Sequence, residues 1–243
     1  MSTRVSRVCV CIPAHNEATT LPSVVARVRA DVGRGVRVLV IDDGSDDGTA
    51  KVAAAAGADV LTADGSHPGR PVGKGSAMST GLRHTSEEII VFTDADVTAL
   101  HPRAATLLAE PLLAEPALAM TKARYTRTLA GRADEGGRVN ALLARPLLRR
   151  LFPELAHLEQ PLGGDYAVRR SALTGLTLEP GYGVEIGLLL DLATRHGASC
   201  IAEVDLGSLS HRNRPLHQLT GHSDAILHAV LSRCPPAQLR VAV

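Results

Sequence analysis

The sequence has almost no aromatic surface: aromatic residues make up 2% of its 243 positions, with no Trp, three Tyr and two Phe. Proteins that hold single-stranded nucleic acid stack bases on aromatic rings, and few such platforms exist here. Charge is nearly balanced too, with 26 basic residues against 25 acidic ones and a formal net charge of +1. The positive footprint of a polyanion binder is missing, so nucleic acid is not an expected partner. No apolar run reaches the length of a membrane span, and Met1-Ser2-Thr3-Arg4 leads straight into a strand without a signal-peptide core. A soluble cytoplasmic protein with no membrane partner is the expectation. Cysteine is scarce and scattered: Cys9 and Cys11 share one face of a strand, while Cys200 and Cys234 lie far away. That spacing matches neither a zinc nor a redox motif, and the four thiols read as small buried hydrophobes.

What the chain does have is Ala, Val and Leu. A hydrophobic fraction of 45% is enough to fill a sizeable core. Apolar, β-branched runs at Arg7–Ile12, Val36–Ile41 and Asp59–Leu61 alternate with helical periods over 20–32, 49–56 and 76–84. Thr20 stands where an N-cap would, with Pro22 in the first turn. Strand and helix in alternation predict an α/β fold with a mostly parallel sheet flanked by helices, in a single domain. Further on, the pattern predicts helices over 102–113, 138–150, 186–194 and 216–232 and strands over 117–123 and 200–206.

The chain is organised around Ile89-Ile90-Val91-Phe92-Thr93-Asp94-Ala95-Asp96. A buried strand runs out into two carboxylates two positions apart, at the strand end where α/β proteins bind ligands. Asp-x-Asp there suits a hard divalent cation bridging protein to substrate phosphates, or, more simply, a cap or turn. Gly73-Lys74-Gly75 sets a cation just before a helix start, where free N–H groups favour anions. Neither a Walker motif nor Gly-x-Gly-x-x-Gly is present. Arg138 opens a helix against its dipole, which a bound phosphate or carboxylate would justify; the alternative is a solvated surface Arg. Glu185 sits in the first turn of another helix, a favourable place for any carboxylate. His211 follows the last strand among Arg212, Asn213 and Arg214, and with the two aspartates it makes a plausible open metal site.

In this order the motifs resemble a known family. Pro13-Ala14-His15-Asn16-Glu17, Asp42-Asp43-Gly44-Ser45, Gly73-Lys74-Gly75 and Asp94-Ala95-Asp96 resemble the nucleotide-sugar half of a GT-A glycosyltransferase. Gly136-Gly137-Arg138-Val139, Ala144-Arg145-Pro146-Leu147-Leu148, Gln160-Pro161-Leu162-Gly163-Gly164, Pro180-Gly181-Tyr182-Gly183-Val184-Glu185 and His211-Arg212-Asn213-Arg214-Pro215 are similar to glucosyl-3-phosphoglycerate synthases.

The resemblance implies a Rossmann-like GT-A domain whose residues 1–100 take the donor and 101–243 the acceptor. It implies retaining transfer of a hexose-like sugar from an NDP-sugar (UDP or GDP) to a small polar acceptor, 3-phosphoglycerate-like, with Mg²⁺ or Mn²⁺, in a homodimer. Carried over by position, Pro13, Ala14, His15, Asn16, Glu17, Asp43, Gly73, Lys74, Asp94 and Ala95 hold the donor, with Tyr182, Gly183, Val184 and Glu185 on its sugar. Gly137, Arg138, Asn140 and Asn213 take the acceptor, and Asp96 and His211 the metal. The Leu162 backbone carbonyl faces the reacting centre, so Leu162, Glu185 and Asp96 form the implied catalytic set. Asn140 stands where the family has Thr, Leu209 where it has Arg and Asp43 where it has Ser. Those departures leave open a different small acceptor, a thiol or alcohol, for the same donor chemistry. A non-catalytic sugar-nucleotide-binding protein is the alternative from another class.

Overall fold

Alternating side chains decide how this chain folds. Along β1 (Val8–Ala14), Cys9 and Cys11 point to one side of a sheet while Val10 and Ile12 point to the other, and all four are fully buried. A strand buried on both faces needs cover on both. In this computed structural model, which describes residues 7–97, 99–129, 132–133, 137–210 and 216–236, helices supply it.

The first half runs β1, α1 (Leu21–Val32), β2 (Arg37–Asp42), α2 (Thr49–Ala55), β3 (Asp59–Thr62), α3 (Lys74–Arg83), β4 (Ile89–Phe92) and α4 (Ala104–Ala114). The second continues with β5 (Met120–Leu129), β6 (Arg132–Ala133), a π-helical turn (Asn140–Ala144) leading into α5 (Arg145–Leu151), β7 (Tyr166–Arg169), α6 (Val184–His196), β8 (Ile201–Ser210) and α7 (Leu216–Leu231). One eight-stranded sheet has the order β3-β2-β1-β4-β7-β5-β6, with β8 paired to β5. β3, β2, β1 and β4 are parallel, β7 runs against both β4 and β5, and β8 is parallel to β5.

Val24, Val25 and Val28 of α1 and Leu108 and Leu112 of α4 pack on the face that carries Val10 and Val40. Met78 of α3, Leu148 of α5, Leu189 of α6 and Val230 of α7 pack on the face of Cys9 and Cys11. The expected α/β class with a mostly parallel sheet holds, as do the four buried free thiols.

The alternation did not reveal β7, because Tyr166–Arg169 is only four residues long and emerges directly from the glycine turn. Its antiparallel seat beside β4 sets Tyr166 opposite Phe92, with ring centroids 5.3 Å apart. The strand predicted over 117–123 lies at Met120–Leu129, and the last strand reaches Ser210. Thr20 stands at the N-cap of α1 as expected, but its side chain makes no capping bond to the helix: the hydroxyl donates to the Glu17 carboxylate at 2.7 Å instead.

Candidate active site

β4 ends at Phe92, and the next four residues turn out of the sheet. Asp94 is half-buried there and Asp96 is exposed. α3 brings the cation to meet them: Lys74 Nζ lies 2.6 Å from Asp94 Oδ1 and 2.5 Å from Glu185 Oε1 in the first turn of α6. Burial alone would lower the Lys74 pKa, but the charges of Asp94 and Glu185 outweigh it and hold the ammonium well above its ordinary value. The sequence placed these three residues separately; the fold joins them.

The glycines flanking Lys74 make the junction possible. A Cβ on Gly75 would stand 1.7 Å from the Glu179 carbonyl oxygen, and one on Gly73, at φ 100°, would stand 2.6 Å from that of Pro180. The Ser76 N–H donates to the same Pro180 oxygen at 3.0 Å. Backbone rests on backbone, and only glycine allows it.

Asp43 shapes the same loop from the other side. It is buried, and its two carboxylate oxygens accept the N–H groups of Val72 at 2.8 Å and Gly73 at 2.9 Å. Its side chain thus holds the Lys74 loop. Its backbone carbonyl shares a hydrogen bond of 2.8 Å with His15 Nδ1. The loops after β1 and β2 are joined further by Asn16 N–H to Ser45 Oγ at 2.9 Å, Asp46 N–H to Asn16 Oδ1 at 3.0 Å and Glu17 N–H to Thr49 Oγ1 at 2.8 Å. Asn16 adopts φ 55°, a left-handed conformation that Asn tolerates better than most residues. Parallel pairing of Ala14 with Asp42 and of Pro13 with Ile41 sets both loops on one edge of the sheet.

Beneath the site lies a buried polar floor that sequence reasoning missed. Lys122 on β5 is fully buried; its Nζ donates to the Gly163 carbonyl at 2.8 Å and sits 4.8 Å from the Tyr166 ring centroid. Burial pulls its pKa down to about 8. Asp165, also fully buried, accepts from the Thr93 hydroxyl at 2.5 Å, and burial followed by the charge of Asp94 pushes its pKa up to about 6. A Cβ on Gly164 would stand 2.2 Å from Asp94 Oδ1. A Lys within an otherwise apolar strand was the available signal, but in sequence it reads as a solvent-facing position.

The remaining expectations divide. Gly137, at φ 74°, turns the chain into the segment carrying Arg138 and Asn140. Asn140 is buried at the start of the π-helical turn, and its Nδ2 donates to the Glu159 carbonyl at 2.8 Å. Leu209 is buried among apolar neighbours on β8. Leu162 packs against the core beside the Gln160–Gly163 turn. Tyr182 is 43% exposed with its ring 3.6 Å, centroid to centroid, from that of His222 on α7. Gly183 stands at the N-cap of α6 with Val184 beginning that helix, and Ala95 is buried under the Asp-x-Asp turn. His211 and Asn213 lie outside the described residues. Among those described, no three acidic, His or Cys side chains form a metal cluster.

Residues 9–173 match the model of the family described as "Glycosyl transferase family 2". The chain belongs to glycosyl transferase family 2. This glycosyltransferase is 43% identical over 237 residues to the glucosyl-3-phosphoglycerate synthase of Mycobacterium tuberculosis, covering 93% of this chain and 73% of that one. Its fold also matches crystal structures of that enzyme. One, in complex with Mn²⁺, UDP-glucose and phosphoglyceric acid, superposes with a TM-score of 0.83 at 43% identity, over 93% of this chain and 79% of the other. Another, in complex with Mg²⁺ and UDP, gives the same TM-score of 0.83, identity of 43% and coverage of 93% and 79%. The fold is GT-A, as the motif order implied, and the enzyme class is that of an NDP-sugar-dependent glycosyltransferase. No helix among the described residues is long and apolar enough to cross a membrane.

Proposed function

We propose that this glycosyltransferase moves glucose from UDP-glucose to 3-phosphoglycerate with retention at the anomeric carbon. The observation that carries the reading is the meeting of Lys74, Asp94 and Glu185 at the end of β4, in a chain 43% identical to an enzyme crystallised with that donor and phosphoglyceric acid. Residues 1–100 form the donor half and 101–243 the acceptor half of one site.

The roles follow from chemistry. An ammonium has three N–H donors; Lys74 directs one at Asp94 and is ion-paired with Glu185, which leaves donor capacity for an oxygen of the donor diphosphate. Asp94 and Glu185, held by that cation, stand ready for sugar hydroxyls. Tyr182, Gly183 and Val184 line the sugar, and the loop Pro13 to Glu17, with Ala95 and Gly73, lines the nucleotide. Gly137, Arg138 and Asn213 face the acceptor, and the Leu162 carbonyl faces the reacting centre. The departing phosphate takes the acceptor's proton on the same face, so no protein nucleophile is needed.

Asp96 fits a divalent metal: it is an exposed hard carboxylate, and Mg²⁺ is commonly bound through one or two carboxylates together with substrate phosphates. With His211 it would hold Mg²⁺ or Mn²⁺, which neutralises charge building on the leaving diphosphate. A cytoplasmic location and a homodimer belong to this reading by family resemblance.

A second reading keeps the donor and changes the acceptor. Leu209 is apolar and buried, and the Asn140 amide is engaged with Glu159, so neither supplies the cation or hydroxyl that the family pattern carries there. Incubation with Mn²⁺, UDP-glucose and 3-phosphoglycerate, read by product mass spectrometry, decides. Glucosyl-phosphoglycerate supports the first reading, while transfer only to a thiol or alcohol from a metabolite extract supports the second.

A further inference from the structure

We infer that Lys122 is a positioning residue that, by holding the Gly163–Gly164 peptide, fixes the adjoining Leu162 carbonyl against the reacting centre. Two hydrogen bonds define how that peptide lies. The Gly163 N–H donates to the Gln160 carbonyl at 2.9 Å, closing a turn. In a planar trans peptide the carbonyl points opposite to the N–H, so the Leu162 oxygen is aimed out of the turn. The following carbonyl, that of Gly163, is held at 2.8 Å by the Lys122 ammonium. Successive peptide planes are thereby locked, one by the turn and one by a buried cation.

The rest of the segment is anchored less directly. Asn140 Nδ2 holds the Glu159 carbonyl at 2.8 Å, and the Glu159 N–H donates to Glu203 at 2.8 Å. Gln160 Nε2 reaches the Tyr125 carbonyl at 3.3 Å. On the far side, Gly164 lies against the Asp94 carboxylate with no room for a Cβ. A shift at Gly163 therefore moves both the Leu162 carbonyl and the surface that Asp94 rests on.

A buried ammonium is a poor choice for stability alone. Lys122 is fully buried and its pKa is pulled down to about 8 by desolvation and, further, by the Lys74 charge, with Glu185, Asp94 and Asp165 partly compensating. An apolar side chain would fill the space without that penalty. What it would lack is a donor long enough to reach the Gly163 oxygen.

The inference rests on the proposed reading in one respect, that the Leu162 carbonyl faces the reacting centre. Its test compares Lys122→Met, which keeps most of the stem and removes the donor, with Lys122→Gln, which keeps an N–H one atom short. With Mn²⁺, UDP-glucose and 3-phosphoglycerate, the Met variant is expected to lose at least thirtyfold in kcat while KM for UDP-glucose stays within twofold and Tm does not fall. Lys122→Gln is expected to recover at least fivefold of that loss. A Met variant with wild-type kcat overturns the inference. So does a fall in kcat accompanied by an equal rise in KM and a lower Tm, which is general loosening. If the Met variant does not fold, Lys122→Leu, which also lacks the donor, takes its place, and wild-type kcat in it overturns the inference. Should the wild type only hydrolyse UDP-glucose, the acceptor reading has failed, and the same kcat comparison made on hydrolysis still judges Lys122.

Discussion

Lys74 and Glu185 meet at 2.5 Å, the first residue of α3 against the first turn of α6. Neither side chain is exposed, at 19% and 5%, so the pair is largely out of water. Removing one partner from a buried pair typically costs about 3–5 kcal/mol, because the other charge is left uncompensated. Lys74→Met is therefore expected to destabilise by about that amount in urea denaturation. It should also lower kcat about a hundredfold or more through lost charge stabilisation. The Lys74 pKa is raised well above 10.5, so its stabilising contribution is complete at neutral pH and fades only as pH rises through that elevated value. The wild-type minus variant difference should thus stay constant between about pH 7 and 9.

Asp43→Asn tests whether this carboxylate acts on the loop rather than on the nucleotide. One charged acceptor serves two backbone donors, Val72 and Gly73, and an amide can accept only one of them. Hydrogen bonds to charged groups contribute about 1.5–3 kcal/mol each. Calorimetric titration with UDP-glucose should show affinity reduced about tenfold or more. Asp43→Glu, with its longer stem, should not restore the binding. Full recovery in the Glu variant would mean that charge rather than loop geometry is what Asp43 supplies.

The sequence marked the strand ends well because apolar β-branched runs followed by Asp, Gly and Ser are local signals. Asp94 and Asp96 stand out that way, Lys74 by its flanking glycines before a helix start and Glu185 by its place in a helix's first turn. What it could not show was their pairing, since Lys74 meets Glu185 through the backbone contact of Gly73 and Gly75 with Glu179 and Pro180, and tertiary contact leaves no periodic trace. β7 escaped for a related reason: four residues after two glycines carry no period of their own. Asp43 enters the donor set by resemblance; that its two oxygens accept the N–H groups of Val72 and Gly73 is a contact between loops that leaves no local signal. Lys122 and Asp165 escaped because charge in sequence suggests solvent, whereas here both lie fully buried.

Gly164→Ala should cost activity more than stability. No left-handed φ is required at that position, but the added Cβ would fall 2.2 Å from Asp94 Oδ1 and 2.4 Å from Oδ2. The carboxylate must turn aside, and its 2.6 Å pairing with Lys74 breaks. A loss of about 3 kcal/mol of transition-state stabilisation, or a hundredfold in kcat/KM, is the expected order. Gly35→Ala is the control, since nothing lies within 4 Å of its Cβ. Equal activity in the two variants would dissociate the Asp94 rotamer from catalysis.

Metal removal bears on Asp96. Chelation should abolish transfer, with Mn²⁺ or Mg²⁺ restoring it. Asp96→Asn should weaken Mn²⁺-dependent UDP binding about tenfold to a hundredfold, by loss of a charged ligand. Manganese titration followed by electron paramagnetic resonance in the presence of UDP reads this without relying on turnover. Unchanged Mn²⁺ affinity in the variant would remove Asp96 from the metal set.

Asp165 makes a prediction with a definite sign. Its folded pKa is raised to about 6, by burial first and then by the Asp94 charge, against an ordinary value of 3.8. A carboxyl whose folded pKa is raised favours folding in its protonated form. Its contribution is complete below about pH 4 and is lost as pH rises through about 6. Asp165→Asn cannot titrate, and its amide carbonyl can still accept from the Thr93 hydroxyl, the partner that Asp165 has now. The Tm of the variant relative to wild type should therefore climb between about pH 4 and 6 and level off above. A difference that is flat across that window would mean Asp165 is ionised throughout. The single Thr93 bond and the nearby Lys74 and Arg27 would then suffice to hold a buried charge beside Asp94.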